Sequence, residues 1–307
     1  QSIIYLWIGA GIFLALIIGL IRMLFFEHIE HLRELKSLTK LPVISGIPHY
    51  EEIEKEPIAI AANPRSNVSE AFRTFRTNLQ YLLPDDGSKI LLVSSLHPGE
   101  GKTFVSTNLA ATIAKASKKV LLLDFDLHKP KVHKMFKQQN SIGVTNYLIG
   151  KSDYKDLIYK SKVENLDVIF AGPVPPNASE LILNSLVADL FQDALKHYDF
   201  VIVDTPPILL ITDSLVLLSK VDRGILVMNT QKATKQGIQY LEDVLAQNNL
   251  NNTSLLLNNI KQKRWRYYYG KYAYRYGYGY GYGYGYGYGY GYGNGYSYGE
   301  ESKKTKK

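Results

Sequence analysis

The chain has 307 residues, 46% of them hydrophobic, with no cysteine, a net charge of +8 and a pI near 9.2. That is enough for one sizeable core, and it excludes disulfides, thiolate chemistry and a Cys-ligated zinc site. The seven histidines show no metal-ligand spacing, and the positive balance suits nucleic acid or basic residues flanking a membrane segment.

The chain opens with Gln1, so an upstream part is expected to be missing. Ile3 to Ile21 carries no charge. At about 1.5 Å per residue it makes roughly 28 Å of helix, the thickness of a bilayer core. Tyr5 and Trp7 lie where an aromatic belt would, and Arg22, Arg33, Lys36 and Lys40 follow. Residues 1–22 therefore read as a transmembrane helix with its downstream side in the cytoplasm. A cleaved signal peptide fits badly, because a basic n-region and a small-residue cleavage site are both missing. Residues 23–62 read as a juxtamembrane linker. It comprises a charged extension from Phe25 to Leu38, a short extended piece from Leu41 to Pro48 and an acidic run from Glu51 to Glu56.

Residues 63–262 read as one domain. Asn67 is the expected N-cap of a helix with Glu70 three residues on, and Val68, Phe72, Phe75, Leu79 and Leu82 follow at helical spacing. Glu70, Arg73 and Arg76 lie on a neighbouring stripe, which by spacing alone is a solvated charged face. Apolar strands are expected at Ile90–Ser95, Val120–Asp124, Leu166–Ala171, Phe200–Asp204, Gly224–Met228 and Ser254–Leu257. Helices are expected at Lys102–Ala116, Ser179–Lys196, Asp213–Leu218 and Lys235–Gln247. This alternation predicts an α/β fold, a mostly parallel sheet with helices on both faces and ligands at the carboxyl ends of the strands.

Leu96-His97-Pro98-Gly99-Glu100-Gly101-Lys102-Thr103-Phe104 joins the first of these strands to its helix. It reads as a phosphate-binding loop. Backbone amides at the helix start face an anion, Lys102 reaches the β- and γ-phosphates, and Thr103 meets Mg²⁺. Leu96 stands where that motif usually has its first glycine. Two later strands end in acids, Asp124 and Asp126 after one and Asp204 after the other. Mg²⁺ takes one or two carboxylates. Asp204 suits that role and Asp126 can share it, which leaves Asp124 to accept a proton from an attacking phenol. Asn258 is a candidate contact for the adenine. The cofactors expected are ATP and Mg²⁺.

From residue 263 the composition changes. Of the 24 tyrosines, most lie here: Tyr267, Tyr268, Tyr269, Tyr272, Tyr274, Tyr276, Tyr278, Tyr280, Tyr282, Tyr284, Tyr286, Tyr288, Tyr290, Tyr292, Tyr296 and Tyr298. Such a Tyr/Gly segment cannot bury a core, so residues 263–307 are expected to be a disordered tail. It reads as a bank of phosphate acceptors, or as a sticky tail for weak self-association or nucleic-acid contact. Extended at about 3.3 Å per residue, it spans on the order of 120 Å and reaches its own site or a neighbour's.

Taken together, the phosphate loop, Asp124-x-Asp126 and Asp204-Thr205-Pro206-Pro207 resemble the three Walker elements of the bacterial tyrosine kinases. Glu70-x-x-Arg73-x-x-Arg76 resembles that family's oligomerisation motif, and the tyrosine-rich end resembles its autophosphorylation region. The resemblance implies a P-loop protein-tyrosine kinase anchored in the inner membrane with its kinase domain in the cytoplasm. Rings would phosphorylate neighbours' tails and then disassemble. Its partners would be further copies of itself, a tyrosine phosphatase and the export machinery of capsule or exopolysaccharide, with no nucleic acid. His128 departs from the family pattern, which usually has Arg there. The alternatives are a partitioning-type ATPase, disfavoured by His97 where such proteins carry a further lysine, and a membrane scaffold with a nucleotide switch.

Overall fold

The computed structural model of the chain describes residues 2–25, 28–84, 87 and 89–261. By internal contacts the chain divides into residues 1–266 and 267–307. The sixteen expected acceptor tyrosines lie outside the described residues.

Eight strands form one sheet in the order β1-β8-β7-β2-β6-β3-β5-β4. They are β1 (Val43–Pro48), β2 (Lys89–Ser95), β3 (Val120–Asp124), β4 (Tyr159–Lys160), β5 (Leu166–Ile169), β6 (Phe200–Asp204), β7 (Arg223–Asn229) and β8 (Thr253–Ile260). Every pairing is parallel except that of β4 with β5 at one edge. The central strands β2 and β3 are buried along their whole length, as unbroken apolar runs between two helical layers should be. β2 lies between β6 and β7, with Val93 opposite Asp204 and Ser95 opposite Val227. Asp124 and Asp204 are also register partners, so both acids reach the same end of the sheet as the glycine loop.

The helix Lys102–Ala114 buries every residue. Helix Asn67–Gln80 covers it through Phe72, whose ring meets Phe104 edge-on at 5.7 Å. Asn108 sews on the preceding segment, accepting from Ala59 N at 2.7 Å and donating to Pro57 O at 3.0 Å. Val68, Phe72, Phe75 and Leu79 are buried as their spacing predicts. The N-cap is Ser66, one residue before Asn67. Its hydroxyl accepts from Ser69 N at 3.1 Å.

Three further expectations are corrected. The 23–62 stretch does not only link: Val43–Pro48 pairs with β8 as the outer strand of the sheet, and Ile29, Leu32 and Leu35 are buried. Ile29 N donates to Ala233 O at 2.8 Å, which fastens this segment beside the end of β7. The expected helix Ser179–Lys196 is two, Ala178–Ile182 and Leu186–Leu195. Asn184 interrupts it by accepting from Leu186 N at 3.0 Å, the local side-chain bond that competes with helix continuation.

The first helix is Ser2–Phe25. Its described side chains are Ile4, Tyr5 and residues 7–20, and most are exposed. Residues 7–20 make roughly 21 Å of helix, short of a bilayer core of about 30 Å. Among the described residues, no helix is long and apolar enough to cross a membrane. The expected span Ile3–Ile21 runs past those side chains at both ends.

Candidate active site

The loop between β2 and helix Lys102–Ala114 curls at two glycines with left-handed backbone, Gly99 (φ 78°) and Gly101 (φ 94°). A side chain at Gly101 would be strained there, and its Cβ would lie 2.2 Å from Asn258 Nδ2. Leu96 is buried because it turns into the core beside Gly237 rather than towards the loop mouth.

Lys102 Nζ lies 2.7 Å from Asp126 Oδ2 and 3.8 Å from Asp204 Oδ2. Burial works against its charge, but Asp204, Asp126 and Asp124 outweigh that and hold its pKa above the usual lysine value. Thr103 Oγ1 donates to Asp204 Oδ2 at 2.7 Å. The other Asp204 oxygen, Oδ1, is buried without a hydrogen-bond partner. Burial raises the pKa of Asp204, while Lys102 and Thr103 pull it back. An orphaned carboxylate oxygen beside a threonine hydroxyl and a second carboxylate is a donor set that suits a hard cation with oxygen ligands. The residues present therefore fit Mg²⁺, held by Thr103, Asp204 and Asp126.

Asp124 is fully buried, and both of its oxygens are used. Oδ1 accepts from Asp126 N and Oδ2 from Val132 N, each at 3.1 Å. Burial, followed by the nearby charge of Asp204, drives its pKa well above the carboxylate range. His128, where the family has Arg, hydrogen-bonds through Nε2 to Asp213 Oδ2 at 2.9 Å. That bond ties the loop after β3 to helix Asp213–Leu218.

Three expected contacts are placed elsewhere. Glu100 is buried beneath the loop, its Oε2 accepting from His97 N at 2.7 Å, so its side chain braces the loop rather than facing a ligand. Burial pushes its pKa up to about 7. Phe104 is buried between Phe72 and Tyr50, stacking on the Tyr50 ring at 5.7 Å, so only its backbone belongs to the loop. Asn258 donates to Glu100 O at 2.9 Å and supports the loop from β8, which corrects the adenine expectation.

Lys232 escaped the sequence reading. From the turn after β7 its Nζ donates to Pro98 O and sits 3.1 Å from where a Cβ on Gly99 would be. It is a second ammonium at the loop mouth, 130 residues from its counterpart Lys102 in sequence. No local pattern joins the two. On the covering helix, Arg73 pairs with Glu70 and also donates to Pro64 O. Arg76 instead turns inward, its Nη1 3.5 Å from Thr112 O. The three residues of the stripe thus split into an exposed pair and an inward brace.

Residues 88–257 match a family described as an AAA domain. A Staphylococcus aureus protein named putative tyrosine-protein kinase CapB is 37% identical over 218 residues, covering 70% of this chain and 96% of that protein. The tyrosine-protein kinase YwqD of Bacillus subtilis (strain 168) is 39% identical over 183 residues, 60% of this chain and 77% of its own length. The kinase domain of Escherichia coli tyrosine kinase ETK superposes with a TM-score of 0.69 at 32% identity, covering 80% of this chain and 95% of that one.

Proposed function

The chain belongs to the bacterial tyrosine-protein kinases, and on that premise we propose that its glycine-loop cradle binds Mg-ATP and passes the γ-phosphoryl group to tyrosines of another copy's C-terminal segment. The observation that carries this is the cluster of Lys102, Thr103 and Asp204 at the carboxyl end of the sheet, with Asp204 Oδ1 left without a partner.

Backbone amides at the start of helix Lys102–Ala114 favour the phosphates, and the left-handed glycines let the chain curl round them. Lys102 offsets charge on the β- and γ-phosphates. Bound Mg²⁺ offsets negative charge on phosphate oxygens as the γ-phosphoryl group moves. Asp124 takes the phenol proton. A phenol has a pKa near 10, so a carboxylate whose own pKa is raised is the better acceptor. Most of the rate comes from positioning and charge neutralisation.

Copies assemble through Glu70 and Arg73, with Arg76 bracing the helix that carries them. Phosphorylating sixteen tail tyrosines adds roughly −24 to −32 charges at about −1.5 to −2 each, enough self-repulsion to dissolve such an assembly. In this reading helix Ser2–Phe25 anchors the chain in the inner membrane, with the kinase domain in the cytoplasm. The phosphorylation cycle then regulates synthesis and export of a capsular or exopolysaccharide, and a tyrosine phosphatase resets it.

The test mixes wild-type chain with a Lys102→Met chain distinguishable by mass, then adds Mg-ATP. Phosphotyrosine on the Lys102→Met tail is expected. ATP hydrolysis without phosphotyrosine on either chain would overturn the reading.

A further inference from the structure

The kinase domain holds tyrosines of its own, and the fold sorts them. Tyr154 and Tyr198 are buried, and burial pushes the Tyr154 phenol up to about 12. Tyr240 is 55% exposed but lies inside helix Lys235–Gln247. Tyr81 is 83% exposed, more than any other described large apolar or aromatic side chain. It caps the C-terminus of helix Asn67–Gln80, so a phenol there can be presented without unwinding a helix from its middle. By helical spacing it shares a stripe with Glu70, Arg73 and Thr77, and all but the half-buried Arg73 are exposed.

A second, independent feature lies next to it. Gln80 and Leu83, which bracket Tyr81, line a cavity of about 400 Å³. Its cations are Arg76, Lys89 and Lys118. The one acid in its wall, Asp199, already accepts from Lys119 N at 2.7 Å. This cavity sits at the amino ends of β2 and β6, the opposite end of the sheet from Lys102.

We propose that Tyr81 is a further acceptor for this kinase and that the cationic cavity beside it takes the phosphate once attached. The inference rests on the transfer in trans proposed above. The bond from the γ-phosphorus of ATP to its bridging oxygen breaks, and a bond to Tyr81 Oη forms. The phenol proton passes to a carboxylate of the donor copy's site, and ADP leaves. A phosphate dianion is a stronger acceptor for a guanidinium than a carbonyl. It draws Arg76 from Thr112 O and puts negative charge at a helix C-terminus, which loosens contacts made by the Glu70–Arg73 stripe.

The experiment uses the full chain. Wild type and the Lys102→Met acceptor are incubated with Mg-ATP, digested and mapped for phosphotyrosine. Expected are phosphate on the Tyr81 peptide of the acceptor, and none on Tyr154 or Tyr198. Lys118→Ala should then speed removal of that phosphate by a tyrosine phosphatase several-fold, because one shielding cation is gone. A phosphorylated tail with Tyr81 unmodified overturns the inference and leaves the kinase reading standing. Equal removal rates overturn the role of the cavity. Absence of phosphotyrosine everywhere overturns both the inference and the transfer beneath it.

Discussion

The two ends of the sheet carry opposite balances of charge. At the carboxyl end, Asp124, Asp126 and Asp204 surround one buried ammonium, that of Lys102. At the amino end, Arg76, Lys89 and Lys118 share a cavity with a single acid, Asp199. The acidic end is also under-satisfied, since Asp204 Oδ1 has no donor, and its left-handed glycines leave no room for side chains. Buried acids in excess of cations are costly unless a cation completes the set. The difference teaches that one end is built around a missing positive charge and the other around a missing negative one.

The largest way to break this contrast is Lys102→Met. It should lower phosphotyrosine formation on the order of a thousandfold, by removing the one buried cation aimed at the transferred group. A residual rate within tenfold of wild type, measured by anti-phosphotyrosine blot over time, would move the chemistry elsewhere.

A middle-sized test uses the amino-end helix. Changing Arg73 and Arg76 together to Ala should abolish large assemblies on sizing while leaving ATP affinity within about twofold. Unchanged assemblies would detach this helix from self-association.

Glu100 gives a pH test. Its ordinary pKa is 4.5, and in the fold it is about 7. The folded state therefore holds the proton more tightly. Stability from this group is intact below about pH 4.5 and is lost as pH rises towards 7, by up to about 3 kcal/mol. Glu100→Gln should flatten that part of the stability–pH curve in denaturant melts. Parallel curves for the two proteins would mean that the loop does not hold this proton.

The smallest effect is expected at Lys232, which is exposed and screened. Lys232→Met should raise KM for ATP about fivefold with kcat within twofold, and Lys232→Arg should restore it. A change in kcat alone would assign it a different task.

What the sequence discloses is what neighbours in the chain can encode. A glycine loop between an apolar strand and a helix, and acids closing buried strands, are local patterns, and the strand order brings them together. β1 was hidden because Gly46 and two prolines read as a linker. Its strand character comes from pairing with β8, more than 200 residues away. Asn258 and Lys232 reach the loop from the far half of the chain, so neither contact has a local signature. Glu100 and Phe104 carry the motif's spacing, but burial turns both side chains away from the mouth. Arg73 and Arg76 look equivalent at i and i+3, yet one faces out and the other braces Thr112.

The most direct measurement is ATP affinity with and without Mg²⁺, by calorimetry, for wild type and Asp204→Asn. With Mg²⁺, the wild type should bind at least about tenfold tighter, and Asp204→Asn should lose most of that gain while retaining metal-free binding. An equal gain in both proteins would contradict the account, because the orphaned oxygen of Asp204 would then hold no metal.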